Sequence, residues 1–128
     1  MDVLLVDDNP LMQQVMTRFL GELGYVVAVA GRADDALELA RQQPPALILM
    51  DLRLPDMDGP DAIRAIRSLP GCTTIPAVGI SGMDLQDIRE HLANDFSDYL
   101  SKPVDLDILE AVVARHVSQP SKRGNLFS

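Results

Sequence analysis

The stretch ALILMD, residues 46–51, consists of five consecutive apolar residues followed directly by an aspartate. A short apolar run without polar alternation is typical of a strand that is covered on both faces of a parallel sheet. Val3–Val6 is a second run of this kind, and it also ends directly before carboxylates, those of Asp7 and Asp8. The two runs indicate an α/β domain in which acidic residues follow buried strands.

Three more segments complete the set of predicted strands, namely Tyr25–Ala30, Ile75–Ile80 and Tyr99–Leu100. Between the strands the apolar residues repeat every three or four positions, which predicts amphipathic helices. Five strands alternating with five helices predict a doubly wound α/β domain. The five predicted helices are marked by these residues, in chain order: Leu11, Met12, Val15, Met16, Phe19 and Leu23; Ala36, Leu37 and Ala40; Ile63, Ile66 and Leu69; Leu85, Ile88 and Leu92; Leu106, Leu109, Val112, Val113 and Val117.

The predicted domain covers residues 1–117, where neither a repeat nor a linker-like composition interrupts the alternation. Residues 118–128 differ from it, because they are polar, contain Pro120 and Gly124, and show no apolar period. We expect them to form a loose C-terminal tail or the start of a linker.

Composition argues against several functional classes. The chain has 128 residues and a formal net charge of −8, whereas direct nucleic-acid binding usually requires a basic face. No apolar run approaches the roughly 20 residues of a membrane span, and the first residues lack the pattern of a signal peptide. Cys72 is the one cysteine and so cannot form an internal disulfide, which fits a reducing compartment. We expect a cytoplasmic protein without membrane insertion.

Carboxylates follow the first and third predicted strands. In a doubly wound sheet, ligands bind beyond the carboxyl ends of the strands, at the point where the strand order reverses. If the first and third strands are neighbours at that point, Asp7, Asp8 and Asp51 would meet there, and their mutual repulsion would favour a bound cation. Mg²⁺ is the natural candidate, because it prefers oxygen ligands and often takes only one or two carboxylates. Taken alone, Asp7, Asp8 and Asn9 are explained equally well by a turn that caps the following helix.

A hydroxyl and a cation follow the fourth and fifth predicted strands. Ser81 comes directly after the fourth strand and Lys102 shortly after the fifth, so both are expected at the same edge of the sheet as the carboxylates. Transfer of a phosphoryl group to a carboxylate requires neutralised charge and oriented hydrogen bonds, which these two side chains can supply. The five positions together therefore favour phosphoryl chemistry over a simple turn.

Four segments carry a family resemblance: Asp7-Asp8, DLRLPDMDG at 51–59, Ser81-Gly82, and DYLSKP at 98–103. In this order they resemble the signature of response-regulator receiver domains, over nearly the whole chain from Asp2 to Val117. The resemblance implies a flavodoxin-like sheet with strand order 2-1-3-4-5. The region from Gly82 to Leu109 resembles the receivers of hybrid sensor kinases.

The resemblance also implies roles for residues around a metal ion. Asp51 would be the phosphoacceptor and a metal ligand. Asp8 would bind Mg²⁺ directly, Asp7 would act through a water molecule, and the main-chain carbonyl of Arg53 would be a further ligand.

The remaining roles concern the phosphoryl group and its readout. Ser81 would donate a hydrogen bond to the group, and Lys102 would neutralise its charge. Ser81 and Tyr99 would form a switch, and the peptide bond before Pro103 would be cis.

The implied function is that of a two-component signalling receiver, which accepts a phosphoryl group from a sensor histidine kinase or a phosphotransfer protein. Such a domain catalyses only its own phosphorylation and dephosphorylation. Its fourth helix, fifth strand and fifth helix would form the surface for a downstream partner or a dimer. Two alternatives are a phosphorylation-independent pseudo-receiver and a phosphatase of the haloacid-dehalogenase type. The phosphatase would require an Asp-x-Asp motif at the first strand, whereas Asp51 follows the third.

Overall fold

The computed structural model describes residues 1–82 and 95–117 of the chain. Five parallel strands form one sheet in the order β2-β1-β3-β4-β5, which confirms the predicted flavodoxin-like fold class. The strands are β1 (Val3–Val6), β2 (Val27–Ala30), β3 (Leu47–Asp51), β4 (Ala77–Ser81) and β5 (Asp98–Ser101).

Four helices lie within the described residues: α1 (Pro10–Glu22), α2 (Ala33–Gln42), α3 (Gly59–Arg67) and a last one, Leu106–His116, which we name the C-terminal helix. The C-terminal helix is the fifth predicted helix. The fourth, marked by Leu85, Ile88 and Leu92, falls on residues 83–94 and lies outside the described residues, as does the predicted tail at 118–128. None of the described helices is long and apolar enough to cross a membrane.

The apolar runs are continuous because both faces of the central strands are covered. Successive side chains of a strand point to opposite faces, so each run contributes to two layers. Leu4 and Met50 pack in the cluster that contains the buried residues of α2 and α3. Leu5 and Leu49 pack in the cluster that contains those of α1 and the C-terminal helix. Every residue of β1 and β3 is buried, as the absence of polar alternation indicates.

Three strands, β3, β4 and β5, extend one residue further than the apolar runs from which they were predicted. Asp51 is the final residue of β3 and pairs with Ile80, and Ser81 is the final residue of β4 and pairs with Ser101. Backbone pairing does not depend on side-chain polarity, so the sheet continues one residue past the apolar run in each case. As a result, the regular geometry of the sheet fixes the positions of the Asp51 carboxylate and the Ser81 hydroxyl.

Two arginines of α3 hold the segments that lead into β4 and β5. Arg67 donates to the main-chain carbonyl oxygens of Asp95 at 2.6 Å and Ile75 at 3.2 Å. Arg64 forms two contacts with the Asp95 carboxylate, at 2.8 and 3.3 Å. The half-buried Arg67 therefore binds two backbone acceptors, one in the segment before β4 and one in the segment before β5.

We predict that Arg67→Met lowers the free energy of unfolding by about 1.5–3 kcal/mol, because two carbonyl groups lose a charged donor. Arg41→Met is the matched control, since Arg41 makes an exposed ion pair with Glu38 on α2. That variant should lose less than about 1 kcal/mol. Urea unfolding followed by circular dichroism measures both, and equal losses would contradict the proposed role of Arg67.

Candidate functional site

The carboxyl ends of β1, β3, β4 and β5 surround an open cleft of about 450 Å³. The cleft is lined by Asp8, Asp51, Arg53, Ser81, Gly82 and Lys102. Asp7 lies fully buried beside it, and one carboxylate oxygen from each of Asp7, Asp8 and Asp51 lies within 4.8 Å of the others. The side chains selected from the sequence for phosphoryl chemistry are therefore brought together at one place.

Asp7 is the most deeply buried of the three acids at the cleft. Its Oδ1 accepts a hydrogen bond from the Asn9 amide at 2.8 Å, whereas its buried Oδ2 has no hydrogen-bond partner among the described residues. Burial raises the pKa of the Asp7 carboxyl, and the charges of Asp51 and Asp8 add to this effect. The Asn9 amide and Lys102 act in the opposite direction but do not cancel the rise.

The donor set around Asp7 fits a divalent cation. A buried carboxylate oxygen without a donor is costly in the folded protein unless a positive group reaches it. Two further carboxylates lie close to it, and all the available ligand atoms are oxygens. This is the chemistry that Mg²⁺ prefers, with remaining coordination positions filled by water from the open cleft.

Asp51 is held through both of its oxygens. Oδ1 accepts a hydrogen bond from the Arg53 amide at 2.9 Å, and Oδ2 accepts one from Lys102 Nζ at 2.8 Å. Burial lowers the pKa of the Lys102 ammonium, but the hydrogen bond and the charge of Asp51, with those of Asp7 and Asp8, outweigh it and raise the pKa. Lys102 therefore remains a cation at neutral pH, directly against the Asp51 carboxylate.

Ser81 and Tyr99 project from the same face of the sheet. Tyr99 pairs with Gly79, two residues before Ser81 on β4, so the side chains at 79, 81 and 99 share that face. A Cβ atom at Gly79 would lie 3.0 and 3.2 Å from two ring carbons of Tyr99. The glycine thus allows the ring to pack closely over β4, where it also contacts Phe96 with 5.7 Å between ring centroids.

The loop that follows Lys102 begins with a cis peptide bond between Lys102 and Pro103. The Lys102 amide donates to the main-chain oxygen of Ser81 at 2.8 Å. The end of β5 is therefore tied to the end of β4 next to the cleft, which fixes the backbone from which the Lys102 side chain extends.

Two residues near the site were missed by the sequence analysis. The Gln13 side chain on α1 donates to the main-chain oxygen of Asp7. Asp56 accepts hydrogen bonds from the amides of Ala33 at 2.9 Å and Asp34 at 3.1 Å, and so caps α2 from a distant loop. The sequence contains one signal of the Asp56 cap. The residue before α2 is Arg32, which is not a capping residue type, so another group is needed to cap this helix.

With this geometry in place, comparison with known proteins identifies the family. The family model for the response regulator receiver domain matches residues 3–114. The chain belongs to the response-regulator receiver family. As a receiver, it is a phosphoacceptor signalling domain of two-component systems and not a classical turnover enzyme, and the pseudo-receiver alternative is not favoured.

Relatives of the receiver include both short and long proteins. It is 37% identical over 114 residues to an uncharacterized 14.6 kDa protein of Leptolyngbya boryana, a match that covers 88% of this chain and 87% of that protein. It is 33% identical over 117 residues to the signal transduction histidine-protein kinase BarA of Escherichia coli K12. That match covers 91% of the receiver but only 13% of the kinase. The similarity is therefore confined to one part of the much longer kinase.

Solved structures support the same assignment. The receiver domain of the sensor histidine kinase PA1611 from Pseudomonas aeruginosa superposes with a TM-score of 0.82 at 34% identity, covering 92% of the receiver and 98% of that chain. In that crystal structure a magnesium ion is coordinated in the active-site cleft. The chemotaxis protein CheY4 of Vibrio cholerae superposes with a TM-score of 0.82 at 25% identity, covering 90% and 97% of the two chains.

We predict that Asp7→Asn raises the free energy of unfolding of the metal-free receiver at pH 7 by about 1–3 kcal/mol, since a neutral amide takes the place of a buried negative charge beside two other carboxylates. A raised pKa means that the folded protein favours the protonated carboxyl. The stabilising contribution of that carboxyl is present below about pH 4 and is lost as the pH rises through the raised value. The difference between variant and wild type should therefore widen with rising pH.

Thermal or urea unfolding between pH 4 and pH 8, with a chelator present, measures this difference. Glu110→Gln is the control, because it removes the same charge from an exposed position on the C-terminal helix. An Asp7→Asn difference that stays constant over this pH range, or that matches the control, would contradict the interpretation.

Proposed function

We propose that the receiver accepts a phosphoryl group onto Asp51 from a phosphohistidine donor, with Mg²⁺ bound in the cleft. The observation that carries this proposal is the Asp51 carboxylate, which is buried in the last position of β3 yet opens onto the cleft beside the Lys102 ammonium. The Arg53 amide donates a hydrogen bond to Oδ1, so Oδ2 is the oxygen that faces the Lys102 ammonium. Histidine kinases are phosphorylated from ATP, so the proposal implies a cytoplasmic setting.

The transfer step uses the groups that line the cleft. Oδ2 of Asp51 would attack the phosphorus atom as the P–N bond of the donor breaks, giving an acyl phosphate and an imidazole that takes up a proton. Lys102 would neutralise an oxygen of the transferred group, and the Ser81 hydroxyl would donate a hydrogen bond to another. Attack of water on phosphorus would later release inorganic phosphate and restore the carboxylate.

The metal would be held by the acidic residues of the cleft. Asp8 and Asp51 would bind directly, Asp7 through a water molecule, and Arg53 through its main-chain carbonyl. When bound, Mg²⁺ would supply positive charge between the carboxylates and the incoming phosphoryl oxygens. The buried Oδ2 of Asp7, which has no hydrogen-bond partner among residues 1–82 and 95–117, supports such a site, as does the magnesium in the PA1611 receiver.

Asp51→Asn should abolish phosphorylation by a small phosphodonor in the presence of Mg²⁺, because the amide keeps the size of the side chain and loses the nucleophile. Intact-mass measurement should show one added phosphoryl group on the wild type and none on the variant. Asp61→Asn is the control, since Asp61 is an exposed acid on α3 that pairs with Arg64, and it should be labelled like the wild type. Unchanged labelling of Asp51→Asn would refute the assignment of the phosphoacceptor.

Readout of the phosphoryl group would involve Ser81 and Tyr99. If the group draws the Ser81 hydroxyl toward the cleft, space opens on the face of the sheet that Tyr99 shares. The state of the cleft would then bias an existing equilibrium at β5 and the C-terminal helix, where a downstream partner or a second receiver would bind. Coupling of this kind is typically worth about 1–3 kcal/mol. The fourth predicted helix, which belongs to the same surface, lies outside the described residues.

The donor would dock beside the cleft on exposed apolar side chains. Leu11 and Val15 on α1 and Ile108 on the C-terminal helix are exposed, and both helices begin at the edge of the sheet that carries the cleft. The two helices pack on one face of the sheet and share a core cluster. Exposed apolar residues next to a reactive group favour docking of a partner with an apolar surface, such as the helices of a histidine kinase or phosphotransfer protein.

We expect Val15→Gln to slow phosphotransfer from a phosphorylated histidine kinase by about fivefold or more, corresponding to about 1 kcal/mol of lost docking energy. Labelling by a small phosphodonor should stay unchanged, because the cleft is not altered. Val26→Gln is the matched control: Val26 is 36% exposed against 40% for Val15, and it precedes β2 at the opposite end of the sheet. Equal slowing of transfer in both variants would contradict docking at α1.

A further inference from the structure

The loop between β3 and α3, residues 52–58, is held at its base next to the cleft. The Gly59 amide donates to the main-chain oxygen of Leu52 at 2.9 Å, and Arg53 and Asp58 form an antiparallel bridge. The closure is tight, because a Cβ atom at Gly59 would lie 2.8 Å from Leu52 Cα. The loop is therefore a narrow hairpin, with Arg53 in one arm.

The tip of the same hairpin is held by a different element. Asp56 binds the Ala33 and Asp34 amides of α2 through its two carboxylate oxygens, at 2.9 and 3.1 Å, and Arg32 Nε lies 3.8 Å from Oδ2. These hydrogen bonds, led by that from Ala33, hold the pKa of the Asp56 carboxyl below its usual value, so the group is ionised at neutral pH. Its side chain is only 12% exposed. The hairpin is thus fixed at two ends, by its own backbone at the base and by α2 at the tip.

We propose that Asp56 is a positioning residue for the metal site, which couples Mg²⁺ binding in the cleft to the first turn of α2. The inference rests on the proposed function, in which the Arg53 carbonyl is a metal ligand. Asp56 itself does not line the cleft.

Asp56 preorganises the metal site through the hairpin. The Arg53 amide already fixes Oδ1 of Asp51 at 2.9 Å, so any displacement of this arm of the hairpin disturbs both the carboxylate and the carbonyl on the other side of the same residue. With the tip attached to α2, the arm that contains Arg53 is held in place before the metal binds. Metal binding then costs less conformational entropy, because the loop is already ordered. Release of the tip would lower the affinity for Mg²⁺ without removing a ligand.

Coupling between two sites is reciprocal. If the Asp56 cap strengthens Mg²⁺ binding by some factor, bound Mg²⁺ must strengthen the cap by the same factor. The Ala33 and Asp34 amides, which donate to Asp56, are the atoms at which this effect can be observed. Their hydrogen exchange should become slower when Mg²⁺ binds, although they belong to a helix that contributes no residue to the cleft.

The test compares Asp56→Ala with Asp58→Ala by Mg²⁺ titration and by amide hydrogen exchange, with circular dichroism to verify folding. Asp58 is a matched control, because it lies in the same loop, carries the same charge, is exposed, and makes no side-chain capping bond to α3. Asp56→Ala should weaken Mg²⁺ binding about fivefold or more. Asp58→Ala should stay within about twofold of the wild type, and Asp56→Asn, which retains one acceptor, should lie between.

Exchange at Ala33 and Asp34 should respond to Mg²⁺ in the wild type and in Asp58→Ala, but not in Asp56→Ala. Equal Mg²⁺ affinity in the two alanine variants, or no exchange response in the wild type, would overturn the inference while leaving the metal site intact. If Asp56→Ala does not fold, the wild-type exchange response and the affinity of Asp56→Asn decide the matter. A wild type that binds no Mg²⁺ would overturn the proposed metal site and this inference together.

Discussion

The ion pair between Lys102 and Asp51 is the interaction on which the functional end of the receiver depends. The carboxyl ends of all strands in a parallel sheet lie at one edge. In this chain, three carboxylates lie at that edge, with one oxygen of each within 4.8 Å of the others. Lys102 Nζ, at 2.8 Å from Asp51 Oδ2, offsets part of the repulsion and links β5 to β3 across β4. The pKa of the buried Asp7 carboxyl is raised all the same, so the site retains an unfavourable charge distribution that a bound divalent cation would relieve.

Much of this arrangement can be predicted from the sequence, because the strongest signals are local. Continuous apolar runs identify β1 and β3, and the residues directly after such runs must lie at the carboxyl edge of a parallel sheet. The boundaries are less accurate for a physical reason. β2 was expected to begin at Tyr25 but begins at Val27, since the Val26 amide donates to the Asp2 carboxylate before the ladder with β1 starts. At the carboxyl ends of β3 and β4, the polar residues Asp51 and Ser81 were expected to follow the strands but belong to them, because a polar side chain does not stop the backbone from pairing.

The contacts that the sequence does not reveal are those between a side chain and a distant backbone group. Asp56 reaches amides that precede it by 22 and 23 residues, and Arg67 reaches a carbonyl 28 residues further along the chain. Neither contact produces an apolar period, and the segment 51–59, which contains Asp56, does not indicate the partner of that residue, because only the folded sheet brings the partners together. A helix without a capping residue of its own, as at Arg32, is the one local sign that a distant group must satisfy its first amides.

The close packing of Tyr99 over Gly79 has an optical consequence. The chain contains no tryptophan and two tyrosines, so its tyrosine fluorescence arises from Tyr25 and Tyr99. These rings belong to different core clusters, with Tyr99 on the side of α2 and α3 and Tyr25 on the side of α1 and the C-terminal helix. Replacement of Tyr25 by phenylalanine would therefore leave a single tyrosine, located on the face of the sheet that Ser81 shares, and its emission would report on that environment without an added label.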